Sequence, residues 1–280
     1  MALYKEQERL SRELGNKDSL LRALGGQGST LMTRGDLDAS MVLYKKQERL
    51  SRELGNKDGL QASLGGQAGI LYSRGDLGGA MALLKEEERL GRELGNKREL
   101  QHALGGQSAI LYARGDLDGA RALHKEQECL CRELGDKGRL QASLGNQALI
   151  LFLQGDLAGA MTLHKEQECL CRELKHKQGL SISFGGQALI LQAQGDLDRA
   201  VTLYKQVECL SRELGNIETA TIALANQAEV LSGIPDRRNE ARRLAGQALA
   251  IATQNGYKQL VPGIKCILDS ISASVSAWAG

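Results

Sequence analysis

Six cysteines and four histidines are the residues of this 280-residue chain best suited to metal binding or nucleophilic chemistry. Four of the cysteines form two Cys-x-Cys pairs, Cys129–Cys131 and Cys169–Cys171. Both pairs fall on segments with helical periodicity. Residues two apart on a helix point roughly 200° away from each other, at ~100° per residue, so neither pair closes on one ion. Cys129, Cys169 and Cys209 recur at a fixed step but are far apart in sequence, and free thiols in a reducing, cytoplasmic compartment are expected. The histidines, His102, His124, His164 and His176, form no His-Glu-x-x-His helix. His124 and His164 stand where Tyr4, Tyr44 and Tyr204 stand elsewhere, which reads as a ring at a packing position. Gly25-Gly26-Gln27-Gly28-Ser29-Thr30 has the glycines of a phosphate loop but no lysine, and it follows no strand. Arg34-Gly35-Asp36 and its copies at Arg74 and Arg114 match an adhesion tripeptide, but no secretion signal accompanies them. The sequence predicts no catalytic residue, no cofactor and no metal site.

Composition excludes further classes. Lys plus Arg (36) nearly balances Asp plus Glu (34), and a net charge of +2 argues against a broad basic face for nucleic acid. No apolar run approaches the ~20 residues of a membrane helix. Aromatics are only 3% and prolines two, which disfavours a ring-filled globular core and favours uninterrupted helices. At 42% hydrophobic and 25% charged, the chain is expected to fold.

A repeat must position whatever function exists. Gly-Asp-Leu recurs at Gly35, Gly75, Gly115, Gly155 and Gly195, and Arg-Glu-Leu recurs from Arg12 to Arg212, both in steps of 40. Segments 41–80 and 81–120 share 27 of 40 residues, which indicates duplication and an array rather than a globule. Each unit reads as two helices. In the unit from Asp136 to Lys175, Leu140, Leu144, Ala148 and Leu151 form one stripe of a helix A over about 138–154. Gly155 suits the left-handed helix end, and Asp156 suits the cap of a helix B over about 158–174. Glycine closes helix B in the other units, with Asn or Asp after it as a cap, and Lys175 is the exception. Glu precedes Arg by four residues on six B helices, from Glu8–Arg12 through Glu48–Arg52 and Glu168–Arg172 to Glu208–Arg212, and this side reads as a solvated outer face. Gln27, Gln67, Gln107, Gln147, Gln187 and Gln227 share one phase of helix A. Facing the helix B glutamines, they are expected to form a hydrogen-bonded ladder between repeats.

Ala148, Leu151, Gly155-Asp156, Ala160, Leu163 and Leu170 together resemble the tetratricopeptide repeat (TPR). The 40-residue period is similar to the variant in kinesin light chains, spindle-orientation adaptors and the sensor arrays of signal-transducing ATPases. The resemblance implies an all-α, right-handed α-solenoid of TPR-like helical hairpins, with about 14 helices by this count. It places the array over 1–257, starting inside a helix B, with units 16–55, 56–95, 96–135, 136–175, 176–215 and 216–256. A capping helix and tail follow over 258–280.

The resemblance also implies that helix A lines a groove through the second, fifth, ninth and twelfth motif positions, counting Gly155 as fifteen. The groove residues expected to meet a partner are Met32, Tyr72, Tyr112 and Phe152, with Leu149, Leu189, Gln192, Gly65, Gly105 and Gly145. Tyr72, Tyr112 and Phe152 share the twelfth position and are expected to form an apolar ladder. The Lys, Arg and Asn that clamp a peptide carboxylate in chaperone-binding TPRs are missing. A glycine at five consecutive fifth positions costs roughly 1 kcal/mol each relative to alanine, which requires a close approach by a neighbouring helix or a partner. The expected function is non-catalytic and cytoplasmic: a scaffold for a protein or peptide, with no nucleic acid and no membrane. Two alternatives are the ligand-sensing or oligomerising arm of a multidomain signalling ATPase and a self-assembling array. Exposed repeat ends offer a route to self-association.

Overall fold

A computed structural model describes residues 1–276, with side chains through Ser272. The described residues form fourteen α-helices and one 3-10 turn at Pro235–Arg237, with no strand among them. In chain order they are α1 (Ala2–Glu13), α2 (Lys17–Thr33), α3 (Leu37–Leu54), α4 (Lys57–Ser73), α5 (Leu77–Leu94), α6 (Lys97–Ala113) and α7 (Leu117–Leu134). There follow α8 (Lys137–Leu153), α9 (Leu157–Glu173), α10 (Lys177–Ala193), α11 (Leu197–Glu213), α12 (Ile217–Ser232), α13 (Arg238–Gln254) and α14 (Val261–Ser276). Even-numbered helices through α12 are A helices and odd-numbered ones are B helices. The chain forms two compact units, Met1–Asp136 and a second beginning at Lys137. The expected tail over 277–280 lies outside the described residues.

Helix boundaries follow local chemistry. Asp156 accepts a hydrogen bond from the Gly159 N–H (2.8 Å), and Asp36, Asp76, Asp116 and Asp196 cap their B helices in the same way. Asn16, Asn56, Asn96 and Asn216 cap A helices by the same bond. Gly155 takes a φ of +84°, where a side chain would be strained. Lys175 replaces a helix-closing glycine and still adopts φ +53°, and His176 after it makes no capping bond.

Packing is serial within each unit. In the first, α2 packs on α1 and α3, α4 on α3 and α5, and α6 on α5 and α7. In the second, α10 packs on α9 and α11, and α12 on α11 and α13. The A helices also touch one another: α2 meets α4, α4 meets α6, and α8 meets α10. Successive B helices reach each other through long side chains, as in Arg52–Glu86 (3.0 Å) and Arg92–Glu126 (2.7 Å). The A helices therefore form the inner wall of each unit and the B helices the outer one.

Small residues hold these layers together. Ala68, Ala80, Met81, Leu84 and Ile110 form one buried cluster of the first unit. Leu151, Ala160 and Ile190 form one in the second. A further cluster of the second unit runs from α10 to α14, where Ile264 and Ile271 bring α14 onto the core.

The glutamine series differs from expectation. Gln27, Gln67, Gln107, Gln187 and Gln227 donate to glutamates, not to other glutamines. Gln67 Nε2 donates to Glu48 Oε2 (2.7 Å), and Glu48 Oε1 accepts from Arg52 Nε (3.0 Å) one turn away. The arrangement repeats as Gln107–Glu88–Arg92, Gln187–Glu168–Arg172 and Gln227–Glu208–Arg212. The glutamate side of helix B is therefore largely covered. It bridges the next A helix, whereas its arginine partner stays in solvent.

Candidate functional site

The inner wall is built from the A-helix residues that the buried stripe leaves over. Alternate turns bury Leu64, Ala68 and Leu104 and turn other residues outward at the groove positions. Tyr72 on α4 and Tyr112 on α6 belong to neighbouring helices of the first unit and are both exposed. Met32 on α2 is half-buried. A Cβ on Gly69 of α4 would lie 2.9 Å from its Cε, so this thioether occupies the space beside that glycine. In the second unit Leu149 on α8 and Leu189 on α10 are exposed on touching helices. Phe152 is half-buried and packs on Leu151, Ala160 and Ile190. Gln192 is half-buried and accepts a hydrogen bond from the Tyr204 hydroxyl (3.2 Å).

Gly65 and Gly145 are buried and Gly105 is half-buried. A Cβ on Gly105 would lie 2.5 Å from Gln127 Nε2, and one on Gly145 would lie 2.5 Å from Gln167 Nε2. At Gly65 it would lie 3.1 Å from the Glu87 carboxylate and 3.0 Å from His102 Cε1. These glycines make room for the following B helix of the same unit. Where a second glycine follows, it serves the preceding B helix: a Cβ on Gly66 would overlap the Tyr44 ring, and one on Gly186 the His164 ring, whereas α8 carries Asn146 there. The Gly-Gly pair thus lets an A helix sit close between two B helices. Gly185 is different, with nothing within 4 Å of its Cβ position, because Val207 stands where the other units carry Gln or Glu.

The second groove position of the motif, which holds His102, Ile182 and Ile222, adds to the inner wall. Ile182 and Ile222 at the second motif position are exposed. Together with Tyr72, Tyr112, Leu149 and Leu189 they span 38–55% exposure. Glu87 is fully buried, and its Oε1 lies 2.8 Å from Nδ1 of His102, whose side chain is 46% exposed. Both depart from their repeats, since Gln47, Gln127 and Gln167 occupy the Glu87 position and Ala62 and Ala142 the His102 position. That coincident departure within one unit was the available signal. The carboxylate fixes the orientation of the ring at the wall.

The other chemical candidates are structural. His124 and His164 are buried, each with Nδ1 3.0 Å from a glutamine Oε1, and burial lowers the pKa of both. Burial pushes the Cys171 thiol up to about 11, against reactivity. The cysteines form no disulfide, and the described residues contain no group of three metal-ligating side chains. None of their helices is long and apolar enough to cross a membrane.

No family model matches the chain, and no curated protein matches its sequence. Solved structures do match in fold. A STAND signal-transduction ATPase with a tetratricopeptide repeat sensor, from Pyrococcus horikoshii, aligns with TM-score 0.80 and 15% identity over 95% of this chain. The chain spans only 40% of that protein's length. The apo quorum sensor NprR from B. thuringiensis aligns with TM-score 0.71 and 14% identity, over 95% of this chain and 76% of that one. A Rap protein complexed with Competence and Sporulation Factor aligns with TM-score 0.63 and 13% identity, over 93% and 76%. The structural neighbours are TPR-like repeat proteins, and the fold is an all-α solenoid-type array of TPR-like hairpins.

Proposed function

We propose that the chain is a non-catalytic, cytoplasmic interaction scaffold that takes a peptide or helix along the inner faces of its A helices. One observation carries this reading. Large apolar side chains recur, exposed, at the motif positions that face away from the core: Tyr72, Tyr112, Leu149, Ile182, Leu189 and Ile222. An exposed apolar strip is a solubility liability unless a partner covers it, and rings dominate interface energy because they bury much area at little entropic cost. Met32 accompanies the exposed rings of the first unit and Phe152 and Gln192 the exposed aliphatic side chains of the second, while Gly65, Gly105 and Gly145 let the B helices pack close behind these faces.

The test is panning a displayed random dodecapeptide library on the protein. The wild type is expected to enrich peptides. Tyr72→Ser, Tyr112→Ser, Leu149→Ser and Leu189→Ser combined are expected to abolish binding and leave the melting temperature within a few degrees. Unchanged binding by the quadruple variant contradicts the proposal.

A second reading is the sensing arm of a multidomain ATPase. It is favoured by the alignment of 95% of the chain onto a STAND protein with a TPR sensor.

A further inference from the structure

The inner wall of the second unit ends at α14, which packs on both α12 and α13. Between α12 and α14 lies a cleft of ≈ 550 Å³. That falls within the ~300–1,000 Å³ usual for ligand sites. Ile222, Ala225, Leu260 and Ile267 give it an apolar lining, with Glu229 and Cys266 also at its wall. Ile222, Ala225 and Glu229 hold the second, fifth and ninth motif positions of α12. The cleft therefore continues the wall that exposes Ile182 and Leu189 on α10.

Charge selects the occupant. The wall positions of α8, α10 and α12 are Ala142, Gly145, Leu149 and Phe152, then Ile182, Gly185, Leu189 and Gln192, then Ile222, Ala225, Glu229 and Ser232. Glu229 is the one charged residue of this set, and among the described residues no ion pair engages it. Glu229 is exposed beside this apolar surface, so a cation meets it with the modest strength of a surface ion pair, and its sign selects the partner more than it tightens binding. The unit thus presents an aliphatic wall, a side-chain-sized apolar cleft and one unmatched negative charge at the cleft's edge.

We propose that the α12–α14 cleft anchors an aliphatic side chain of an extended peptide segment whose adjacent lysine or arginine pairs with Glu229. The assignment rests on the inner-wall reading above and adds the chemistry of the partner. A segment lying along α8, α10 and α12 covers Leu149, Leu189 and Ile222 and delivers its anchor to the cleft at the end of that path. An acidic segment is disfavoured, because its charge would meet Glu229 with no cation on the wall to offset it.

The experiment uses peptides enriched from the dodecapeptide library, made synthetically and titrated by fluorescence polarisation. They are expected to carry Lys or Arg next to Leu, Ile, Val or Met. Glu229→Gln is expected to weaken them about threefold, and Glu229→Lys to weaken them further, with the melting temperature unchanged in both. A second readout uses Cys266. In the protein carrying Cys129→Ser, Cys169→Ser and Cys209→Ser, saturating peptide is expected to slow alkylation of Cys266 by iodoacetamide. Enriched peptides without a basic residue, insensitive to Glu229→Gln but lost in Leu149→Ser with Leu189→Ser, overturn this assignment and leave the inner-wall reading standing. Unprotected Cys266 beside a roughly threefold loss in Glu229→Gln overturns the cleft as the anchor. No enrichment overturns both.

Discussion

The inner walls of the two units carry the same scaffold and different surfaces. In the first unit the ninth position is Ser29, Gly69 and Ala109, and the rings Tyr72 and Tyr112 stand over it. In the second the ninth position holds Leu149, Leu189 and Glu229, and the second position adds Ile182 and Ile222. Beneath both, the buried stripe hardly changes: Leu64 and Ala68 in one unit correspond to Leu144 and Ala148 in the other. The difference teaches how a repeat array diversifies. Exposed wall positions exchange freely, because they touch neither the alanine–leucine stripe nor the Gln–Glu–Arg bridge. At the Gly-Gly pair a glycine is held only where a neighbouring helix fills the space, as at Gly66 and Gly105, and the pair becomes Gly145-Asn146 on α8 and Ala225-Asn226 on α12.

The separation of stripe and wall is tested most severely at two leucines two residues apart on α8. Leu151 is 6% exposed and packs on Ala160 and Ile190. Leu151→Ala is expected to cost about 2–5 kcal/mol in urea unfolding, the usual range for a packed leucine. Leu149→Ala is expected to cost well under ~1 kcal/mol, as for an exposed site. Equal losses break the distinction between wall and stripe.

The glycines sharpen the comparison at a smaller scale. Gly66→Ala in the first unit drives a methyl group into the Tyr44 ring and is expected to destabilise by ~1–3 kcal/mol. Gly185→Ala in the second meets open space and is expected to stabilise by about 0.5–1 kcal/mol through helix propensity. Chemical denaturation of the two variants decides it, and effects of the same sign contradict the packing account.

The smallest effect concerns pH and should be shared by both units. Burial lowers the pKa of His124 and His164 below the ordinary 6.5, so the unfolded chain binds protons that the folded chain resists. Their contribution to stability is present above the unfolded value and is lost as pH falls through the folded one. The melting temperature is expected to drop between about pH 7 and pH 5, and less so in His164→Tyr, the residue found at Tyr44 and Tyr204. An unchanged slope in that variant removes His164 from the account.

Much of this architecture was legible in the sequence. The caps at Asp156 and Asn56 and the turn at Gly155 place the helix ends within about a residue, because each satisfies a local backbone need. The burial of Leu151 followed from periodicity. Periodicity gives the phase of a side chain on its helix but not its axial partner. Phase alone therefore puts Gln67 in a glutamine ladder, whereas the neighbouring turn presents Glu48. Phe152 shares its motif phase with Tyr72 and Tyr112, yet it folds back on Ala160 and Ile190, a matter of rotamer and local space. The α12–α14 cleft depends on how a helix outside the repeat pattern docks, which no repeat can encode.

The central claim is that the inner faces bind and the outer faces do not. Hydrogen–deuterium exchange on the protein with and without a saturating enriched peptide tests it most directly. Added protection is expected at the exposed turns of α8, α10 and α12, with α9 and α11 unchanged. Protection concentrated on α9 and α11, with α8, α10 and α12 unaltered, contradicts the account.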